Sequence, residues 1–135
     1  PAADAVLLIG AGSGLVPLMA MIRQRHALAQ TVPTALLLSA RTAKDVLFSE
    51  ELHSIESSDP AFLMALAITR ERPARGSDYG RRVDGAMVQE TLARLDRMPA
   101  HVFVCGSNGF VNIATDAVLL AGLDASNVRT ERYGG

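Results

Sequence analysis

Short, uninterrupted apolar segments recur along this chain, and a stretch whose apolar residues have helical spacing follows most of them. The first such segment is Ala5-Val6-Leu7-Leu8-Ile9, which ends at Gly10. A strand that helices cover on both faces has a continuous apolar sequence, whereas a strand with one solvated face alternates apolar and polar residues. The repeated order of strand and helix therefore predicts an α/β protein with a parallel sheet.

The same pattern predicts five strands, joined by right-handed crossovers that place helices on both faces of the sheet. The expected strands are residues 5–9, 34–39, 62–69, 101–105 and 128–133. The first helix is expected to contain Pro17 in its opening turn and to continue from Leu18 to Ala29. The second is expected to begin at a capping box formed by Thr42 and Asp45 and to continue to about Ile55.

Two further helices complete the expected fold. Asp84 is expected to cap the third helix, which ends near Met98-Pro99, and Gly122 is expected to end the fourth. In a parallel sheet, ligands bind beyond the carboxyl ends of the strands. Those ends are expected at Gly10, Ser39, Thr69 and Cys105.

The composition of the chain excludes several classes of protein. The chain has 135 residues, of which 49% are hydrophobic, and this is enough for one domain over residues 1–135 with a buried core. Its net charge of -1 and its 4% of aromatic residues argue against nucleic acid as a partner. No apolar run reaches the roughly 20 residues that cross a bilayer, and a lone cysteine suits a reducing compartment. A cytoplasmic protein without a membrane partner is therefore expected.

A glycine-rich segment joins the first strand to the first helix, with the sequence Gly10-Ala11-Gly12-Ser13-Gly14-Leu15-Val16-Pro17. Glycines let the backbone approach a ligand, and free N–H groups at a helix start favour an anion, so the segment predicts a phosphate-binding turn. It is not a G-x-G-x-x-G fingerprint, because Leu15 occupies the place of the third glycine, and no P-loop lysine follows. A glycine turn without a ligand is one alternative. A methyltransferase that binds S-adenosylmethionine is another, although the acidic residues expected for it are missing.

Arginines follow the ends of two strands. All but one of the 13 basic residues are arginines, which reflects either a composition bias or a need for planar groups that bind phosphate. Arg41 follows the second strand, where a ribose diol would favour an acid and a 2′-phosphate favours arginine. Arg70 follows the third strand, and Arg82 closes the next loop. These three are predicted to converge on one phosphate, which favours NADPH over NADH.

The remaining arginines of that loop are expected to be solvated charges: Arg72, Arg75 and Arg81.

A second glycine turn follows the fourth strand, with the sequence Cys105-Gly106-Ser107-Asn108-Gly109-Phe110. Cys105 is either an inert buried residue or part of the wall beside a reactive ring. No histidine is marked as its base, which argues against a thiol nucleophile. Ser13 and Ser107 do not fit the G-x-S-x-G pattern of hydrolases. No metal-ligand cluster is visible, so no metal is expected.

In this order the motifs resemble the C-terminal nucleotide-binding domain of the ferredoxin–NADP reductase superfamily, over nearly the whole chain. The segments that carry the resemblance are the glycine loop ending in Pro17, Ser39-Ala40-Arg41-Thr42, Thr69-Arg70, Arg82-Val83-Asp84, Cys105-Gly106 and Glu131-Arg132-Tyr133.

The resemblance implies a role for each of these residues. Pyrophosphate would lie on the glycine loop, at Gly10, Gly12, Ser13, Gly14 and Pro17. The 2′-phosphate would lie on Arg41, Arg70 and Arg82, with Thr69 lining the same cleft. The nicotinamide end would lie at Cys105, Gly106, Ser107 and Phe110, and Glu131 and Tyr133 would face a flavin.

Cys105 and Glu131 are the implied catalytic residues, acting in orientation and charge stabilisation. The chain departs from many relatives at Ser107, where they have a proline that makes the turn more rigid.

The resemblance also implies a second domain. That superfamily binds its flavin, FAD or FMN, on an N-terminal β-barrel with an Arg-x-Tyr-Ser-type motif, and this sequence contains no such segment. The expectation is therefore the NADPH-binding half of a flavin-dependent oxidoreductase, with NADH as a possible substitute. Its electron acceptor would be a ferredoxin, a haem protein or an iron–sulfur protein. A nucleotide-sensing or docking module without turnover is the alternative.

Overall fold

The apolar runs form one five-stranded parallel sheet with helices on both faces, which confirms the predicted fold class. The structure is a computed structural model that describes residues 5–28 and 31–133. The strands are Val6–Ala11 (β1), Thr34–Ala40 (β2), Phe62–Ile68 (β3), His101–Gly106 (β4) and Val128–Arg132 (β5). The α-helices are Leu15–Ala27 (α1), Ser49–Ser58 (α2), Gly85–Leu95 (α3) and Asn108–Leu120 (α4). Three 3₁₀ turns accompany them, at Gly12–Gly14, Ala43–Asp45 and Ala125–Asn127.

The sheet has the strand order β3-β2-β1-β4-β5. The chain thus adds β2 and β3 on one side of β1, and then β4 and β5 on the other side. In register, Ile9 of β1 lies between Leu37 of β2 and Val104 of β4. The connections from β1 and β3 therefore leave in opposite directions, and a crevice opens between the carboxyl ends of β1 and β4. Ligands of open α/β sheets bind at such a position.

The two faces of the sheet carry separate apolar cores. Helices α3 and α4 pack on one face, against residues that include Leu7 and Ile9 of β1. Helices α1 and α2 pack on the other face, against residues that include Leu8 of the same strand. Because successive strand residues point to opposite faces, a strand between two helical layers must be apolar at every position. This explains the continuous apolar runs.

The second helix differs from its prediction. The carboxylate of Asp45 does accept bonds from the backbone N–H and the hydroxyl of Thr42, at 3.3 and 3.1 Å, but the capped element is only the 3₁₀ turn. Val46 then has an extended backbone and is buried, and Phe48 has a left-handed φ of 55°. The insertion of Val46 into the core ends the first turn, so α2 begins anew at Ser49.

Other helix ends lie close to their predicted positions. Asp84 caps α3 through a 2.9 Å bond from the Met87 N–H, and Gly122 has the expected left-handed φ of 99° after α4. Helix α3 ends at Leu95 rather than near Met98, because Asp96 has a φ of 59°. The predicted end of the first helix at Ala29 lies outside the described residues. No helix in the described part of the chain is long and apolar enough to cross a membrane.

A buried arginine joins three segments at the amino end of the sheet. Arg25 of α1 is 7% exposed and donates two hydrogen bonds to the Val32 carbonyl, at 3.0 and 2.8 Å. Its guanidinium also pairs with Asp59, in the turn before β3. Burial acts to raise the pKa of Asp59, but hydrogen bonds from Arg25 and the Ala61 N–H outweigh it and lower that pKa. The end of α1, the start of β2 and the start of β3 are thus held by one side chain.

The loop between β3 and α3 is fastened to the sheet rather than free. The Leu66 N–H donates to the Asp78 carboxylate at 2.9 Å, and Tyr79 pairs with Ala67 as a short parallel extension of the sheet. Arg75 donates to Glu56 at 2.9 Å and to the Met64 carbonyl at 3.0 Å. The prediction of a solvated charge at Arg75 was therefore wrong.

Arg81 was also predicted to be a solvated charge, and it forms an ion pair with Asp84. This pair and the contacts of Arg75, Asp78 and Tyr79 fix the loop that carries Arg82.

Candidate functional site

The glycine loop lies at the carboxyl end of β1 and continues directly into α1. Gly12 has a left-handed φ of 54°, and a Cβ placed there would meet nothing within 4 Å, so its backbone is open to a ligand. Gly14 is different: a Cβ there would lie 2.2 Å from the Cys105 carbonyl oxygen. Gly14 thus allows α1 to approach β4, and Gly12 supplies the exposed turn.

Two adjoining cavities lie over the carboxyl ends of the strands. The first has a volume of about 400 Å³ and is lined by Ala11, Gly12, Ser39, Ala40, Arg41, Asp45 and Thr69. The second has a volume of about 450 Å³ and is lined by Ser39, Arg41, Thr69, Arg82, Val83, Ser107, Gly109, Phe110 and Ile113. Because Ser39, Arg41 and Thr69 line both cavities, the cavities form one groove, which we call the carboxyl-edge cleft.

The charges of the carboxyl-edge cleft are not neutralised within the protein. Over residues 5–28 and 31–133, the guanidinium groups of Arg41 and Arg82 form no hydrogen bond or ion pair. By contrast, Arg23, Arg25 and Arg75 are paired with acids elsewhere. Arginine presents a planar set of donors that suits phosphate, so two unpaired arginines on one cleft favour an anionic ligand.

Arg70 is placed differently from the other two predicted phosphate ligands. Its backbone N–H donates to the Arg41 carbonyl at 2.8 Å, which sets the two residues side by side beyond β2 and β3. Its side chain lines neither cavity of the cleft. The structure therefore brings Arg41 and Arg82 to the cleft and leaves Arg70 at its rim.

Cys105, Glu131 and Tyr133 form a group beside the cleft, at the carboxyl ends of β4 and β5. Cys105 and Glu131 are register partners, and the Tyr133 N–H donates to the Gly106 carbonyl at 2.9 Å. Burial, together with the Glu131 charge, raises the pKa of the Cys105 thiol to about 11. The thiol is thus protonated at neutral pH, which agrees with the argument against a nucleophile. Loss of hydration and a hydrogen bond to Glu131 raise the pKa of Tyr133 to about 12.

The turn after β4 is shaped by its serine and its aromatic residue. The Phe110 N–H donates to the Ser107 hydroxyl at 3.3 Å, so Ser107 caps α4. A Cβ at Gly106 would lie 2.9 Å from the Phe110 ring. Ser107 and Phe110 line the cleft, and the absence of a side chain at Gly106 leaves room for the Phe110 ring.

The predicted site residues thus divide into two groups. The cleft is lined by Gly12, Arg41, Thr69, Arg82, Ser107 and Phe110. The lining of these two cavities does not include Gly10, Ser13, Gly14, Pro17, Arg70, Cys105, Gly106, Glu131 or Tyr133. Gly10 is buried near Leu18, whose Cδ1 would lie 2.8 Å from a Cβ there, and Pro17 lies within α1.

Three residues at or near the cleft were missed by the sequence analysis. Asp45, which the sequence indicated only as a helix cap, lines the first cavity, and Ile113 lines the second. Glu71 accepts a 2.6 Å hydrogen bond from the Ala43 N–H, beside Arg41. Ile113 could have been predicted, because it lies in the first turns of the helix that follows the predicted end of the fourth strand. No local pattern indicates a contact between positions as far apart as 43 and 71.

A further cavity, of about 410 Å³, opens at the opposite, amino end of the sheet and has a largely apolar lining that includes Val6, Met21 and Phe103. Arg25 also lines it, but its guanidinium is already bound to Asp59 and Val32. Among the described residues that line this cavity, the one arginine is therefore already occupied. Within the described ranges, no three His, Cys, Asp or Glu side chains are grouped to hold a metal ion.

The parallel sheet, the glycine loop at its switch point and the cationic cleft together define an α/β domain that binds a phosphorylated nucleotide. Residues 8–116 match the family described as the oxidoreductase NAD-binding domain. The chain belongs to this family. The match confirms the resemblance stated from the motifs and favours it over the methyltransferase alternative.

Two relatives are named as a reductase subunit and an oxidoreductase. The reductase subunit of glycine betaine monooxygenase from Chromohalobacter salexigens is 30% identical over 98% of this chain, which covers 36% of that protein. An NADPH oxidoreductase from Mycobacterium tuberculosis is 29% identical over 98% of this chain, which covers 32% of that protein. The chain thus spans about a third of the length of these relatives.

Solved structures show the same fold. The cytochrome b5 reductase domain of Ulva prolifera nitrate reductase superposes with a TM-score of 0.81 at 18% identity. The superposition covers 95% of this chain and 50% of that one.

Proposed function

We propose that this chain is the NADPH-binding domain of a longer flavin-dependent reductase, whose flavin, FAD or FMN, is held by an N-terminal β-barrel outside the 135 residues. The observation that carries the proposal is the presence of Arg41 and Arg82, two arginines with no partner among the described residues, on the cleft beyond β1, β2 and β4. The family match supplies the nucleotide class, and these cations favour a nucleotide with an additional phosphate.

The shape and chemistry of the cleft fit an extended dinucleotide. The open backbone at Gly12 and the first N–H groups of the helical run are suited to pyrophosphate, because these N–H groups have no acceptor within a helix. Arg41 lines both cavities and is suited to the 2′-phosphate of the adenosine end, with Arg82 across the second cavity. Arg70 is proposed to assist them from the rim, since its backbone is bonded to that of Arg41.

The other end of the cleft is suited to a nicotinamide ring. Phe110 and Ser107 line it, and the group of Cys105, Glu131 and Tyr133 lies beside it. When bound, the nicotinamide supplies a hydride that a flavin accepts. The uncharged Cys105 thiol would lie buried behind the ring, and Glu131 and Tyr133 lie next to it at the end of β5. Their role is to orient the ring and its surroundings.

The flavin would pass electrons to a separate acceptor, such as a ferredoxin, a haem protein or an iron–sulfur protein. Two relatives support this step by name, since one is a monooxygenase reductase subunit and another is the reductase component of propane 2-monooxygenase.

Replacing Arg41 with alanine in the full gene product is expected to raise the KM for NADPH about 10- to 100-fold, because a charge-assisted bond to phosphate is lost. The KM for NADH is expected to change by less than about threefold, since NADH has no 2′-phosphate to bind. Steady-state reduction of an artificial electron acceptor measures both values.

Arg72→Ala is the matched control. Arg72 is an exposed arginine close to Arg70 that lines neither cavity, so its replacement removes the same charge without touching the cleft. Equal losses for NADPH and NADH in the Arg41 variant would contradict the assignment of Arg41 to the 2′-phosphate.

A further inference from the structure

A carboxylate is fixed at the rim of the carboxyl-edge cleft. Glu71 lies in the loop after β3, and its Oε1 accepts a 2.6 Å hydrogen bond from the backbone N–H of Ala43. The residue before it, Arg70, is bonded through its N–H to the Arg41 carbonyl. Glu71 is therefore held next to the segment that presents Arg41 to the cleft, although 28 positions separate it from Ala43.

The bond between Glu71 and Ala43 fixes the rim of the cleft but does not neutralise Arg41 or Arg70. Neither Arg41 nor Arg70 forms an ion pair with Glu71 in the described part of the chain, and Glu71 bonds to a backbone group instead. Asp45 is the other carboxylate here, and it is bonded to Thr42. The negative charge of Glu71 is thus directed to the Arg41–Ala43 segment and fixed there by a short, charge-assisted bond.

A fixed negative charge at this place has opposite consequences for the two nucleotides. A phosphate group bound by Arg41 would add negative charge beside Glu71, and like charges at a protein surface repel over several ångströms. A free ribose 2′-hydroxyl adds no charge. The carboxylate would therefore weaken binding of a nucleotide with a 2′-phosphate and would not affect binding of a nucleotide without one.

We propose that Glu71 is a specificity-determining residue, which weakens binding of 2′-phosphorylated nucleotides relative to nucleotides without that phosphate. This inference rests on the proposed function, in that Arg41 must bind the 2′-phosphate. Glu71 then moderates the preference that Arg41 creates, so that the ratio of the two affinities depends on both residues.

The test uses two small probes that differ only in the 2′-phosphate, 2′,5′-ADP and 5′-AMP, titrated calorimetrically into the full gene product. Glu71→Gln keeps an acceptor oxygen for the Ala43 N–H and removes the charge. It is expected to tighten binding of 2′,5′-ADP about fivefold and to leave 5′-AMP within about 1.5-fold. The gain is expected to shrink at high ionic strength, because salt screens exposed charges.

Two further variants separate charge from structure. Asp116→Asn removes an exposed negative charge from the middle of α4, away from the cleft lining, and is expected to change neither affinity. Glu71→Ala removes both the charge and the hydrogen bond, and is expected to show the same selective gain for 2′,5′-ADP. Weaker binding of both probes in Glu71→Ala, with no change in Glu71→Gln, would show that Glu71 only anchors the loop and would overturn the inference.

The inference and the proposed function fail in different ways. If the wild-type protein prefers 2′,5′-ADP and loses this preference in Arg41→Ala, the proposed site is supported. An unchanged ratio in Glu71→Gln would then overturn the role of Glu71 alone. If the wild-type protein binds both probes equally and Arg41→Ala changes nothing, the 2′-phosphate site is refuted and the role of Glu71 with it.

Discussion

Replacing Arg25 with alanine is expected to lower the free energy of unfolding by about 3 to 5 kcal/mol, because removal of one partner leaves a largely buried charge uncompensated. Asp59, which is 19% exposed, would lose its guanidinium partner, and the Val32 carbonyl would lose two hydrogen bonds. The loss is a large part of the 5–15 kcal/mol that typically stabilises a domain. Chemical denaturation at neutral pH measures it.

Arg23→Ala is the matched control, on the same helix. Arg23 pairs with Glu51, but both side chains are well exposed, so the expected loss is much smaller. The effect of Arg25→Ala also depends on pH. The folded-state pKa of Asp59 is lowered, so the stability it provides is present above its unfolded pKa, near 3.9, and is lost as the pH falls through the folded value. The effect of Arg25→Ala is therefore expected to narrow in acid, and equal losses from both arginines would contradict the role of Arg25.

Replacing Gly14 with alanine is expected to destabilise the protein by about 3 kcal/mol and to weaken nucleotide binding as well. A Cβ at this position would lie 2.2 Å from the Cys105 carbonyl oxygen and 2.9 Å from the Gly106 nitrogen. Both are backbone atoms of the sheet, so no side-chain rotation relieves the overlap. The start of α1 must move away from β4, and the glycine loop moves with it.

Gly85→Ala is the control for this prediction. Gly85 is the first residue of α3, and a Cβ there would meet nothing within 4 Å. Alanine is expected to be neutral or slightly stabilising there, because it reduces the freedom of the unfolded chain. Thermal denaturation and calorimetric titration with NADPH compare the two variants. Normal stability in Gly14→Ala would show that the close approach of α1 to β4 is not required.

The apolar runs and the helical patterns that follow them were enough to predict the sheet. A strand that is buried on both faces needs an apolar residue at every position, and few other structures require this. The helix caps at Asp84 and Gly122 were predictable for a similar reason, since each depends on residues close in sequence. The break before α2 was not. It depends on where Val46 enters the core, and that position is fixed by residues of the sheet far away in sequence.

The cleft shows the same division. The glycine loop and Arg41 could be assigned from the sequence because a strand end brings them to the cleft. The buried contact of Gly14 with Cys105, the anchoring of Arg75 and the bond from Ala43 to Glu71 all join distant segments. Such contacts depend on how distant segments pack together. The sequence also does not distinguish Gly14, which allows a helix to pack closely on β4, from Gly12, whose backbone is open to a ligand.

Hydrogen–deuterium exchange of the full gene product, with and without NADPH, tests most directly whether the nucleotide binds at the carboxyl-edge cleft. Peptides that contain residues 10–17, 39–45 and 105–113 are expected to become protected, because they form the glycine loop and the two cavities. Residues 19–27, beside the apolar cavity at the amino end, are expected to exchange as before. Protection confined to that amino-end segment, or no protection at all, would contradict the proposed site.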